Sequence, residues 1–130
     1  MTMRYERNIQ IIRGKLALEG ILGLPPDSSG IIVFAHGSGS GRLSPRNNFV
    51  ARHLQQNGLA TLLLDLLTPE EAEDRRKVFD IDLLSDRLLL AKAWLEEEPR
   101  TMKLRLGYFG ASTGAGAALQ AAAREPSNIH

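Results

Sequence analysis

The chain has 130 residues, 43% hydrophobic and 24% charged, with 16 Lys and Arg against 15 Asp and Glu for a formal net charge of +1. That size and balance predict one globular domain with a real core, and give no electrostatic reason to expect a nucleic acid or an anionic membrane as partner. There is no cysteine, which excludes disulfides, thiolate nucleophiles and Cys-based zinc sites. The polar start Met1-Thr2-Met3-Arg4 lacks the apolar run of a signal peptide, and no stretch reaches the ~20 apolar residues of a membrane span. Cytoplasmic residence is the default expectation.

Residues 8–13 and 15–24 are rich in β-branched and aliphatic side chains, with Gly14 between them and Pro25-Pro26 after; they predict an antiparallel hairpin. Residues 31–35 (Ile-Ile-Val-Phe-Ala) form a continuous apolar run, the pattern of a strand buried on both faces. The glycine-rich loop His36-Gly37-Ser38-Gly39-Ser40-Gly41 follows at once. Ser44-Pro45 then reads as an N-cap with proline at the first helical position, opening a helix to about Asn57. Its expected core stripe is Phe49, Val50 and Leu54, and Gly58 stops it.

Residues 59–64 predict a second buried strand, ending at Asp65, and the charged run 68–77 an exposed loop or short helix. Between 81 and 97 the apolar residues recur at helical spacing, Leu84, Leu88, Ala91 and Leu95 on one face with Leu83, Leu90 and Trp94 beside it, and Pro99 closes the helix. Residues 104–109 predict a further strand. After it come Gly110-Ala111-Ser112-Thr113-Gly114 and an alanine-rich helix to about Arg124. The order β-α-β-α-β-α after the hairpin predicts an α/β fold: a mostly parallel sheet with helices on both faces.

A G-x-S-x-G sequence between a strand and a helix is the signature of a nucleophile elbow, a sharp strained turn that presents one side chain above the sheet. The positions two before and two after must be small because neighbouring backbone passes close, and Gly110 and Gly114 satisfy that. Ser112 is thus the candidate nucleophile, and the helix N-terminus behind it favours developing negative charge. The plainer alternative is a glycine-flanked serine that only caps the helix. A tetrahedral intermediate also needs two backbone N–H donors; Thr113 supplies one candidate, and Gly37 or Ser38, in the loop after the strand 31–35, the other. Both motifs sit at C-terminal ends of predicted parallel strands, where open α/β sheets bind ligands.

The hairpin, the HGSGSG loop, the alternating helices and strands and the GASTG elbow together resemble the dienelactone hydrolase-like branch of the α/β-hydrolases, from about Ile9 to the end of the chain. The resemblance implies cleavage of an ester or lactone through a covalent acyl intermediate, and a strand order 1-2-4-3-5. Members of that branch usually carry Cys as nucleophile; Ser112 here leaves serine esterase or amidase chemistry open beside lactone cleavage. The family order is nucleophile, acid, histidine. Only 18 residues follow Ser112, with Glu125 the sole carboxylate side chain in 115–130 and His130 the last residue. The expectation is an N-terminal portion of a domain of ~200 residues, with the strand 104–109 as an open apolar edge, a route to a homodimer.

Among the other histidines, His36 is expected to shape the oxyanion loop rather than act as base, and His53 to lie at the surface. Asp65 is expected to start a turn, although it could face the site. Arg42 and Arg46 beside the loop are either solvated or contacts for an anionic group on a substrate. Two other classes compete. Gly110, Gly114 and Gly116 match a dinucleotide-binding spacing, but no acidic residue lies ~20 positions on. A non-catalytic interaction module built on the open edge is the other. No cofactor and no metal is implied.

Overall fold

The computed structural model describes residues 5–37 and 40–130. Strands β1 (Glu6–Arg13) and β2 (Leu16–Gly23) form the expected hairpin, paired in register from Glu6 opposite Gly23 to Arg13 opposite Leu16. Gly14 takes the left-handed φ of 60° that the tight turn requires. β2 then pairs antiparallel with β4 (Leu59–Leu64), β4 parallel with β3 (Gly30–Ala35), and β3 parallel with β5 (Arg105–Gly110). The five-stranded sheet runs β1-β2-β4-β3-β5, the order implied by the resemblance.

The centre of the sheet, β3 and β4, is buried on both faces, and β3 shows why its sequence is continuously apolar. Successive side chains point to opposite faces. Ile31, Val33 and Ala35 pack into one cluster with Leu84, Leu88, Ala91 and Leu95 of α4 (Ile81–Glu97) and Ala117 and Ala121 of α5 (Thr113–Arg124). Phe34 faces the other way, into a smaller cluster with Leu63 and with Ala51 of α1 (Pro45–Gln56). All four predicted stripe residues of α4 are at most 1% exposed. Ser44 caps α1, its hydroxyl accepting from the Asn47 N–H at 3.3 Å.

Two details differ from the sequence reading, and the charged run takes the second of its two expected forms. On α1, Val50 and Leu54 pack half-buried against the smaller cluster as expected, but the fully buried residues are Ala51 and Gln55, and Phe49 is 63% exposed and meets the His53 ring edge-on. The cause is polar. Gln55 donates to Thr61 Oγ1 at 2.9 Å and to Glu6 Oε2 at 3.1 Å, which fixes the helix rotation against β4 and β1. Next, the charged run forms two short helices, α2 (Pro69–Ala72) and α3 (Arg75–Val78), tied down by a carboxylate. Finally, the edge of β5 is partly taken: Ile129 bridges Leu106 in parallel, Leu106 N–H donating to Asn128 O and Leu106 O accepting from His130 N–H. Among the described residues no helix is long and apolar enough to cross a membrane.

Candidate active site

Ser112 lies at the turn from β5 into α5 with φ 58° and ψ −132°, a region that residues with a Cβ rarely occupy. It is the N-cap of α5, yet its side chain makes no capping hydrogen bond, unlike the caps Ser44, Thr68, Asp74 and Asp80. The turn is closed by backbone instead, Gly114 N–H donating to Ala111 O and Ala115 N–H to Ser112 O, each at 3.0 Å. The flanking glycines are required by contact. A Cβ on Gly110 would stand 2.6 Å from Gly114 O, and one on Gly114 would stand 2.0 Å from Ala35 O. The turn therefore packs backbone against backbone, and the Ser112 side chain is left exposed above the C-terminal end of the sheet.

Gly37 is the facing piece. A Cβ there would lie 3.1 Å from Ser112 Cβ and 3.7 Å from its Oγ. Thr113 is the first residue of α5, so its N–H has no intrahelical acceptor. Ser38, the other expected donor, lies outside the described residues. Two cavities, of about 610 and 410 Å³, flank the loop and share His36, Gly37, Ser40, Ser44 and Pro45 in their walls. The larger continues over Leu67, Val78 and Leu84 to Thr113; the smaller holds Ser112, Phe109 and Arg46.

The loop is pinned by two consecutive residues at the end of β4. His36 is 8% exposed, and its Nε2 accepts from the Leu66 N–H at 2.9 Å. The proton therefore belongs on Nδ1, which lies 3.0 Å from Gly37 O and donates there. Both ring nitrogens of His36 are thus committed to backbone. Asp65 holds the other end, accepting from the Arg42 N–H at 2.6 Å and pairing with the Arg42 guanidinium. Gly41 lies close beside it, where a Cβ would meet Asp65 Oδ1 at 2.8 Å and push that side chain aside. Asp65 thus faces the site and organises it, where the sequence favoured a simple turn. Arg42 is engaged, which leaves Arg46, exposed on the wall of the smaller cavity, as the freer cation beside Ser112.

Sequence reasoning missed the support beneath this loop. Arg87 of α4 donates to Leu66 O at 3.0 Å and to both carboxylate oxygens of Glu71 at 2.8 Å. Glu71 also closes a capping box with Thr68 at the start of α2. The Arg87 hydrogen bonds, aided by the Thr68 N–H and opposed by burial, hold the Glu71 carboxyl down from 4.5 to about 2. The signal was present as Thr68-Pro69-Glu70-Glu71, a capping-box pattern with proline at the first helical position.

The other acid and base candidates lie away from Ser112. Glu125 follows the far end of α5 and pairs with Lys92 at 3.4 Å. His130 sits beside Leu106, four strand residues and roughly 13 Å before Gly110. His53 is exposed on α1. Among the described residues no three His, Asp or Glu side chains gather to hold a metal ion.

No family model matches the chain. Two curated proteins of Mycobacterium tuberculosis, from strains CDC 1551 / Oshkosh and H37Rv, bear the name "Putative phosphoribosyl transferase"; each is 52% identical over 124 residues, covering 95% of this chain and 28% of the relative. Among solved structures, dienelactone hydrolase from Anabaena variabilis superposes with a TM-score of 0.92 at 53% identity, over 96% of this chain and 60% of that one. Est1E from Butyrivibrio proteoclasticus gives 0.75 at 18% identity over 94% and 47%, and a cold-adapted esterase from an Arctic intertidal metagenomic library 0.76 at 16% over 95% and 57%. The chain thus spans 28% of the curated relatives and 60% of the solved hydrolase. The sheet order, the strand-to-helix turn after β5 and the likeness to dienelactone hydrolase together make this chain part of an α/β-hydrolase fold.

Proposed function

We propose that the chain carries the nucleophile and the oxyanion donors of a serine hydrolase that attacks an ester, lactone or similar carbonyl through an acyl-enzyme on Ser112. The observation that carries this is the strained backbone of Ser112, φ 58° and ψ −132°, with its uncapped side chain against Gly37. Strain at a residue whose hydroxyl does no structural work is characteristic of a site where geometry serves chemistry. In the proposed step, Ser112 Oγ loses its proton to solvent and bonds to the carbonyl carbon as the carbonyl π electrons move to oxygen. Their return breaks the bond to the alcohol or ring oxygen, which leaves with a proton from solvent, and the acyl group stays on Oγ. The N–H groups of Gly37 and Thr113 receive the oxyanion; Ser38, the other expected donor, lies outside the described residues. His36 and the small Gly110 and Gly114 keep the two backbones in place.

The base that takes the Ser112 proton is not among the side chains gathered at the turn, so turnover by these 130 residues is weak, resting on binding and oxyanion stabilisation. A fluorophosphonate probe tests the reading directly. It should label Ser112 and give no adduct with Ser112→Ala; absence of labelling at high probe concentration would leave a non-catalytic module as the better account. If substrates carry an anionic group, Arg46→Gln raises its KM alone, whereas Arg42→Gln disturbs the loop for neutral and anionic substrates alike.

A transferase reading comes only from the name of the curated relatives, of which this chain matches 28%. Calorimetric binding of a phosphoribosyl donor to this chain would favour it. Cytoplasmic residence and a substrate from the cell's small-molecule esters remain part of the same proposal.

A further inference from the structure

We propose that Arg87 is a positioning residue for the loop facing Ser112, acting through the Leu66 backbone and the His36 ring; the proposal rests on the hydrolase reading above. Arg87 belongs to α4, and it lines neither cavity. Its guanidinium is spent on three acceptors: two Glu71 oxygens at 2.8 Å and Leu66 O at 3.0 Å. Leu66 is thereby held from both sides of its Cα. Its C=O is fixed by Arg87, and its N–H by His36 Nε2 at 2.9 Å. The His36 ring reaches on to Gly37 O at 3.0 Å, and Gly37 lies close enough to Ser112 that a single added carbon would stand 3.1 Å from Ser112 Cβ.

The path from Arg87 to the reacting atoms is therefore three hydrogen bonds and the close approach of Gly37 to Ser112. Slack at Leu66 moves the His36 ring, and the ring moves the Gly37 peptide. A displacement of an ångström at an oxyanion donor is enough to cost an order of magnitude or more in rate. The chemistry of the side chain fits the task. A planar fork with fixed donors binds a carboxylate bidentately and still offers an N–H to the carbonyl, whereas the flexible ammonium of lysine does not hold all three acceptors in one geometry. Glu71 neutralises the buried charge and anchors α2; the bond to Leu66 O is what reaches the loop.

That separation of roles gives the test. Arg87→Lys and Glu71→Gln are compared in the 130-residue chain by three readouts: the thermal midpoint, the labelling of Ser112 by a small fluorophosphonate resolved into its maximal rate and half-saturation, and the ¹⁵N signals of the His36 ring. Glu71→Gln, which leaves the Arg87 bond to Leu66, is expected to lower the midpoint while the maximal rate stays within about twofold. Arg87→Lys is expected to lower the maximal rate about tenfold with little change in half-saturation, and to shift the His36 signals away from an Nδ1-protonated ring with an accepting Nε2. Equal losses in the two variants, in proportion to their midpoints, would overturn the proposal, as would unchanged His36 signals in Arg87→Lys. If no probe labels the unmodified chain, the hydrolase reading falls; the ring signals still decide whether Arg87 positions the loop.

Discussion

Residues whose backbone is forced are where this fold shows its chemistry most directly. The Ser112 backbone, at φ 58° and ψ −132°, mirrors the extended region and suits glycine. Holding a side chain there costs about 1–3 kcal/mol, offset in a glycine variant by roughly 0.5–1 kcal/mol of extra chain entropy in the unfolded state. Ser112→Gly is therefore expected to be more stable than Ser112→Ala by about 1 kcal/mol, and Ser112→Ala to lie near the unmodified protein. Urea midpoints check this, and a glycine variant less stable than the alanine one would mean the turn is unstrained. Gly114 is the complementary case, because a Cβ there would lie 2.0 Å from Ala35 O and 2.6 Å from His36 O. Both neighbours are backbone and neither has room to retreat without separating α5 from β3. Gly114→Ala should cost roughly 3 kcal/mol or more and be visible as a large fall in the thermal midpoint.

At the scale of elements, the short helices α2 and α3 depend on one ionised carboxylate. The Arg87 hydrogen bonds depress the Glu71 carboxyl to about 2 in the folded chain, and the unfolded chain restores its ordinary value of 4.5. A depressed carboxylate contributes stability that is complete above the unfolded value and is lost as pH falls through the folded one. The tether should thus be intact from neutral pH to about pH 5 and weaken between 4.5 and 2. Urea midpoints followed across that window should fall in the unmodified chain and change less in Glu71→Gln; parallel curves would place the acid loss elsewhere. The same segment marks the limit of what the sequence discloses. Strands and long helices were legible because burial imposes a period: β3 is apolar throughout since both faces are covered, and α4 repeats Leu84, Leu88, Ala91 and Leu95. The elbow was legible because close backbone approach demands glycine at 110 and 114. The rotation of α1 was legible only in part: Val50 and Leu54 face the core as their spacing suggests, but Gln55, held by partners 6 and 49 residues away in sequence, is buried and Phe49 is left outside. For the same reason the roles of Asp65 and Arg87 escaped: each is defined by partners 16 to 23 residues distant, which no local pattern encodes.

For the whole molecule, the two faces and the two edges of the sheet are unequally covered. One face carries α4 and α5 and the larger cluster of buried residues, while α1 packs on the other, with Phe49 63% and Phe109 41% exposed. The outer edge is β5. Leu106 points its N–H and C=O outward, where Asn128 and His130 take them. Backbone groups alternate along a strand, so those of Tyr108 and Gly110 point outward too, beyond the Ile129 bridge. The Tyr108 ring packs half-buried against the larger cluster, and burial, with the charges of Glu125 and Glu96, pushes the ionisation of its hydroxyl up to about 12. An edge of this kind, apolar and with unpaired groups beyond its first residues, is a template for another strand. We therefore expect the 130-residue chain to self-associate by edge pairing at β5, with its mass rising with concentration in light scattering. Phe109→Lys places a charge next to the free part of the edge, on the side away from α4, and should shift the chain toward monomer. Its loss of the Phe34 contact, at 5.0 Å between ring centroids, costs some stability, so the thermal midpoint is read alongside. A chain that stays monomeric at millimolar concentration, or a folded Phe109→Lys variant that associates as strongly as its parent, would rule out pairing at this edge.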